Sequence, residues 1–196
     1  MNAFFLESFI DEMAHAAKAD PLAFRLALMR DTHAPSARLL ETVREMSGWD
    51  GLKRPGFGRG VAFCYSFGTP VAQVIEVEQT PGGIRMTRAW IACDPGLAMD
   101  PSIVEAQMTG AMVFGLSAAV QEEITFADQA VVQQNFPDHD ALRMHATPRF
   151  EVRILQNNGT FGHIGGVGEP GTPPAAPALA NALFDLTGTR ARELPL

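Results

Sequence analysis

The chain has 196 residues, of which 46% are hydrophobic and 19% charged. That is enough apolar material for one packed domain, or one and a half by length, and is unlike a disordered segment. Fifteen basic against 22 acidic residues leave a net charge of −7, which argues against a nucleic-acid partner, since a phosphate backbone needs clustered Lys and Arg. Cys64 and Cys93 are the only cysteines, too few for a disulfide framework, a four-cysteine zinc site or a thiolate-held iron–sulfur cluster.

The first segment has helical period. Phe5, Phe9 and Met13 recur at i, i+4 and i+8 with Leu6 and Ile10 beside them, and Glu7, Asp11, Glu12 and Lys18 take the other side. Its acids and its lack of a basic opening run are unlike a signal peptide, and the expected compartment is the cytoplasm. Asp20-Pro21 restarts the chain as N-cap plus first helical residue, opening a second helix to about Arg30. A third runs from Ser36 to about Met46 and ends at Gly48. Residues 1–50 thus read as a helical N-terminal segment, followed by a basic, Gly-rich connection over 53–60.

From Val61 the period changes to two. Strands are expected at 61–67 and 71–79, and a Thr80-Pro81-Gly82-Gly83 turn leads into a third at 84–93, where Ile84, Met86, Trp90 and Ala92 share a face. Asp94-Pro95-Gly96 closes that strand, and Asp100-Pro101 repeats the capping device to open a long apolar helix reaching about Glu123. Residues 106–121 carry no charge, yet this interval is shorter than the ~20 apolar residues of a membrane span. It reads as a helix buried on most sides. A polar stretch over 126–140 holds a short strand at Val131-Val132, 150–155 alternates again, and 159–171 is a Gly-rich loop. Thr172-Pro173-Pro174 then caps an Ala-rich helix to about Leu186. The expected fold is α+β, antiparallel strands with helices packed on one side, and 51–196 forming one unit.

Chemistry concentrates in Gly165-Gly166-Val167-Gly168-Glu169-Pro170-Gly171. Glycines let backbone approach a ligand closely, and Glu169, stiffened by Pro170 ahead of a helix, is placed as a general base would be. The same pattern also suits a capping loop whose Glu meets the helix dipole. Gln107, followed by Thr109, Gly110 and Ala111, offers a donor and an acceptor to a heterocycle edge, or simply allows tight helix packing. Asp138-His139-Asp140 with His145 lacks zinc-ligand spacing and reads as a solvated loop. His163 precedes the glycine loop, His15 and His33 read as surface residues, and Cys64 and Cys93 read as small core residues. Lys53, Arg54 and Arg59 are open either as an anion contact or as a solvated connection. No Walker A loop, strand-linked GxGxxG or GxSxG elbow is present.

Several of these stretches occur in a family's order: residues 2–25, Ser66-Phe67-Gly68 with Val71-Ala72-Gln73-Val74, Cys93-Asp94-Pro95-Gly96, Asp100-Pro101, Gln107 to Ser117, and Gly166-Val167-Gly168-Glu169-Pro170. Together they resemble the C-terminal part of the molybdenum-binding large subunit of the xanthine dehydrogenase and aldehyde oxidase family, nearest its isoquinoline 1-oxidoreductase branch. The resemblance implies part of a molybdopterin-binding fold, with Gln107, Gly166, Val167 and Gly168 as cofactor contacts. It implies that Glu169 is the base acting on a molybdenum-bound hydroxyl, toward an N-heterocycle or an aldehyde. It further implies molybdopterin, in its cytosine dinucleotide form, and iron–sulfur clusters carried on a separate small subunit. The family's other Gly-rich cofactor motifs have no counterpart here. The resemblance therefore implies a site completed only in an assembly with the remainder of the large subunit, with self-association also open. From a different class comes a second expectation: a non-catalytic assembly module that binds partners and no cofactor.

Overall fold

A computed structural model describes residues 1–156 and 164–196. Three helices come first: α1 (Asn2–Ala16), α2 (Pro21–Met29) and α3 (Ala34–Ser47). Asp20 caps α2 by accepting from the Ala23 amide at 2.7 Å, and α3 stops where Gly48 turns left-handed at φ +59°. Next come β1 (Phe57–Ser66), β2 (Thr69–Thr80) and β3 (Gly83–Cys93), then the long helix α4 (Pro101–Val120), capped by Asp100. The two-residue strands β4 (Phe126–Ala127) and β5 (Ala130–Val131) form a small separate hairpin; β6 (Arg149–Ile154) and α5 (Ala175–Thr187) complete the chain.

The main sheet runs β1-β2-β3-β6. Its first three strands are antiparallel, but β6 lies parallel to β3, returned to that side by the α4 crossover. The helices are not confined to one side. Val71, Ile75 and Val77 of β2 pack toward α4 and α5, while Ala72 and Val74 pack toward α2 and α3. A central strand buried on both faces loses the polar–apolar alternation that would have marked one face as solvent. The expected single face of Ile84, Met86, Trp90 and Ala92 is also broken. The pairing register shifts between Glu76 and Val77, leaving Thr87 as the extra residue, so Met86 joins the α4–α5 side and Trp90 the α2–α3 side.

The β1 edge is covered by side chains. Asp185 accepts from the Arg59 amide at 3.0 Å, Asn181 donates to the Val61 carbonyl at 3.1 Å, and Glu7 accepts from the Phe63 amide at 3.0 Å. Helix α5 crosses β1 closely enough that a Cβ at Gly60 would overlap the Ala178 carbonyl, so this part of the Gly-rich connection serves helix packing.

α4 departs from its expected near-complete burial. Val104, Met108, Met112 and Leu116 pack against the sheet and α5, while Ile103, Gln107, Gly110 and Phe114 form a stripe left in solvent. By length and composition alone the helix could cross a membrane; here one side of it packs against the sheet and α5. On α1 the polarity is reversed: Glu7 and Asp11 are buried, and Phe5, Leu6 and Phe9 are exposed.

Candidate functional site

The loop over 164–174 is anchored at both ends. Gly165 donates its amide to the Pro95 carbonyl at 2.9 Å, and a Cβ there would collide with Thr69 and Gly68. Gly166 donates to the Phe67 carbonyl at 2.8 Å and accepts from Thr69 Oγ1 at 2.7 Å. At the far end Gly171 lies against α4, where a Cβ would come within 3.0 Å of both Ala111 Cβ and the Met108 carbonyl. Its own carbonyl accepts from Gln73 Nε2 at 2.6 Å. Thr172 donates its amide to the Glu169 carbonyl at 2.9 Å and its hydroxyl to the Ala111 carbonyl at 3.1 Å. Between these anchors Gly168 and Glu169 stand exposed.

That geometry brings Glu169 and Gln107 into one open cleft of about 480 Å³, lined also by Phe67, Gly110, Phe114, Thr172 and Pro173. The ideal Cβ position of Gly168 is 3.7 Å from Gln107 Nε2. The other two expected contacts are placed differently. Gly166 sits against Phe67, with its Cβ position 3.2 Å from Phe67 Cβ, and Val167 packs against the hydrophobic core. Among the described residues lining the cleft, Glu169 is the one ionisable group, and no described residue hydrogen-bonds or ion-pairs with its carboxylate. A carboxylate without a partner keeps its lone pairs available for an incoming proton.

Phe67 and Phe114, which flank the cleft, escaped the sequence reading. Phe67 occupies the left-handed region at φ +53°, followed by Gly68 at +76°, a turn in which a bulky residue is strained. Gln73 was missed as well, though an amide inside the apolar run Val71–Val77 was a signal. It is fully buried and its Oε1 has no hydrogen-bond partner among the described residues, so the group retained at that cost is the one holding Gly171.

The remaining candidates are accounted for locally. Lys53 and Arg54 pair with Asp185 (3.5 Å) and Asp50 (3.2 Å), and Arg59 with Glu76 (2.7 Å), so the basic connection is neutralised by its own acids. No group of three His, Cys, Asp or Glu among the described residues could hold a metal ion. His139 lies 3.6 Å from Glu122 and Asp140 pairs with Arg143. His33 sits at the α3 N-cap, 2.6 Å from Ser36 Oγ, and His15 lies 3.4 Å from Asp11. Burial pushes the Cys93 thiol up to about 12 and raises that of the half-buried Cys64, which disfavours the nucleophilic thiolate at both. His163 lies outside the described residues.

The sequence profile of the molybdopterin cofactor-binding domain matches residues 14–148. The chain belongs to that family. Gln107 falls inside the matched region, and the Glu169 loop lies beyond it, within the part shared with longer relatives. The chain is 34% identical to the beta chain of isoquinoline 1-oxidoreductase from Brevundimonas diminuta over 98% of its own length and 25% of the relative's. To a nicotinate dehydrogenase subunit of Pseudomonas putida it is 31% identical, over 100% and 18%. Among solved structures, quinoline 2-oxidoreductase from Pseudomonas putida 86 superposes with a TM-score of 0.56 at 22% identity, covering 65% of this chain and 17% of that one. Aldehyde oxidoreductase from Desulfovibrio gigas gives 0.54 at 19% identity, covering 65% and 14%. This chain of the molybdopterin-binding family therefore spans about a quarter, or less, of the relatives it matches.

The cleft suits one edge of a flat heterocyclic cofactor. Beyond its own stretch of helix, no described atom lies within 4 Å of where a Cβ on Gly110 would stand, so bare helix backbone is approachable there, and the Gln107 amide beside it supplies one donor and one acceptor. Glu169, Thr172 and the loop backbone are the other polar groups lining it among the described residues.

Proposed function

We propose that this chain is the portion of a molybdenum hydroxylase large subunit that carries the general base, Glu169, and one pterin contact, Gln107. The supporting observation is the cleft, in which the anchored loop holds a carboxylate without a partner among the described residues, beside an exposed helix amide and over bare backbone. The molybdenum–pterin group, when bound, supplies the two-electron redox chemistry. The work of the chain's own residues is positional. Gln107 holds a heterocycle edge, and Gly168 lets the loop pass close to it. Phe67 and Phe114 keep the rim apolar, and Glu169 takes up a proton at its carboxylate as the substrate is oxidised. The names of the relatives point to an N-heterocycle or an aldehyde as substrate. On this reading the pterin is the cytosine dinucleotide form, and electrons leave through iron–sulfur clusters on a small subunit. The complex assembles in the cytoplasm, where the free thiols of Cys64 and Cys93 are at home.

The test is reconstitution with the rest of a large subunit and an iron–sulfur subunit. Stoichiometric molybdenum, with turnover abolished and metal retained in Glu169→Gln, supports the reading. Full turnover after that substitution removes Glu169 as the base, and an assembly without molybdenum or turnover favours a non-catalytic assembly module.

A further inference from the structure

α1 is an amphipathic helix mounted inside out. Its acidic side is committed to the protein interior. Arg25, fully buried on α2, donates to Glu7 Oε2 at 2.8 Å and to the Glu7 carbonyl at 2.7 Å, and lies 3.6 Å from Asp11. Arg190, from the segment after α5, reaches Asp11 at 2.7 Å, and Arg192 pairs with Glu12. These pairs fix the rotation of the helix about its axis, because turning the apolar stripe inward would strand Arg25 and Arg190 without counter-ions. The stripe is therefore held outward: Phe5, Leu6 and Phe9 are 58%, 60% and 57% exposed, with Met13 at its end.

We propose that this stripe is the docking surface for the remainder of the large subunit. The proposal rests on the reading that the chain is one portion of such a subunit. The relatives that match through α1 are about four times or more the length of this chain, so on that reading the remainder is a much larger polypeptide, with surface enough to cover the stripe. The cofactor-domain profile begins only at residue 14, past Phe5, Leu6 and Phe9, whereas both of those relatives align over 98–100% of the chain. The stripe therefore lies in a part of the chain that both relatives align across.

Two other occupants fit less well. A membrane-surface helix carries Lys and Arg on its polar side, but here that side is acidic and turned into the protein, in a chain of net charge −7. A second copy meeting α1 alone would gain on the order of 400–500 Å² per partner, roughly half of the ~800 Å² typical of a stable complex. A long polypeptide that also covers Ile103 on α4, outside the cleft, has no such shortfall.

The experiment is co-expression of this chain with the three-quarters of the Brevundimonas diminuta beta chain outside the matched segment, comparing wild type with the double variant Phe5→Glu, Phe9→Glu. Thermal melting of each chain alone checks folding, and the exposed positions predict nearly equal midpoints. The expected result is a wild-type complex whose yield falls at least ~10-fold in the variant. Equal yields overturn the docking surface and leave the assembly reading standing, whereas no complex with wild type overturns both. Sedimentation of the chain alone as a dimer that the variant breaks assigns the stripe to a second copy. Binding of wild type but not the variant to phosphatidylglycerol vesicles assigns it to a membrane. Either of those results overturns the proposal.

Discussion

Glu7 and Asp11 on α1 and Glu169 in the glycine loop are all carboxylates fixed by surrounding structure, but they are fixed in opposite ways. The first two are buried, and their oxygens are met by Arg25, Arg190 and the Phe63 amide. Glu169 is held only through its backbone, by anchors at Gly166, Gly171 and Thr172, and its carboxylate meets no described partner. Side-chain pairing consumes a carboxylate's proton-accepting capacity in holding the fold together. Backbone anchoring leaves that capacity free while still defining where the group stands. The contrast separates a structural acid from a candidate base without reference to any relative.

The comparison can be broken from either side. Arg25→Ala leaves Glu7 and Asp11 buried with part of their counter-charge gone, and should cost about 3–5 kcal/mol of stability, read by urea denaturation. Glu169→Gln should leave stability within about 0.5 kcal/mol while lowering turnover of the reconstituted assembly by ~10²–10⁴-fold. A large stability loss in that variant would show that the carboxylate is structural after all. Gln73→Leu removes the orphan Oε1 but also the bond to Gly171. Its net stability change should stay within about 1 kcal/mol, with amide exchange accelerated selectively around Gly171 and Thr172. Uniform acceleration would deny the residue a positioning role. Phe67→Asn relieves the left-handed turn and should stabilise by about 0.5–1 kcal/mol in thermal melts.

The smallest effect is expected at Glu12. The hydrogen bond from Arg192 holds its carboxyl below the usual carboxylate range. A depressed acid contributes stability that is present above its unfolded pKa and lost as pH falls through the folded one. Glu12→Gln should therefore flatten the acid limb of the stability curve at and below about pH 4, by no more than about 1 kcal/mol.

Much of this was legible in the residues. Asp20-Pro21 and Asp100-Pro101 marked helix starts because a capping carboxylate and a donorless first residue are local devices. Glu169 and Gln107 stood out by their neighbours, and the fold places them on one cleft. What escaped was non-local. Thr87 slips the register of β3 against β2, dividing one predicted face between two cores. β6 joins parallel through a crossover, and a uniformly apolar α4 gave no periodic hint of which stripe would stay in solvent.

The sequence alone determined the order of the main helices and strands, the starts of α2 and α4, the presence of a carboxylate in a glycine loop, and the family, since each depends on residues near one another in the chain or on their order. It did not place the start of β1, which takes in residues 57–60 of the expected connection. Only the tertiary structure decided what those residues face. The orientation of α1 follows from arginines 18 and more residues away, and the freedom of Glu169 follows from anchors on β2 and α4. Burial and pairing depend on chain segments meeting in space, and no local period encodes that. A composition suited to one ordinary domain therefore gave no warning of a helix with Glu7 and Asp11 inside and Phe5 and Phe9 out.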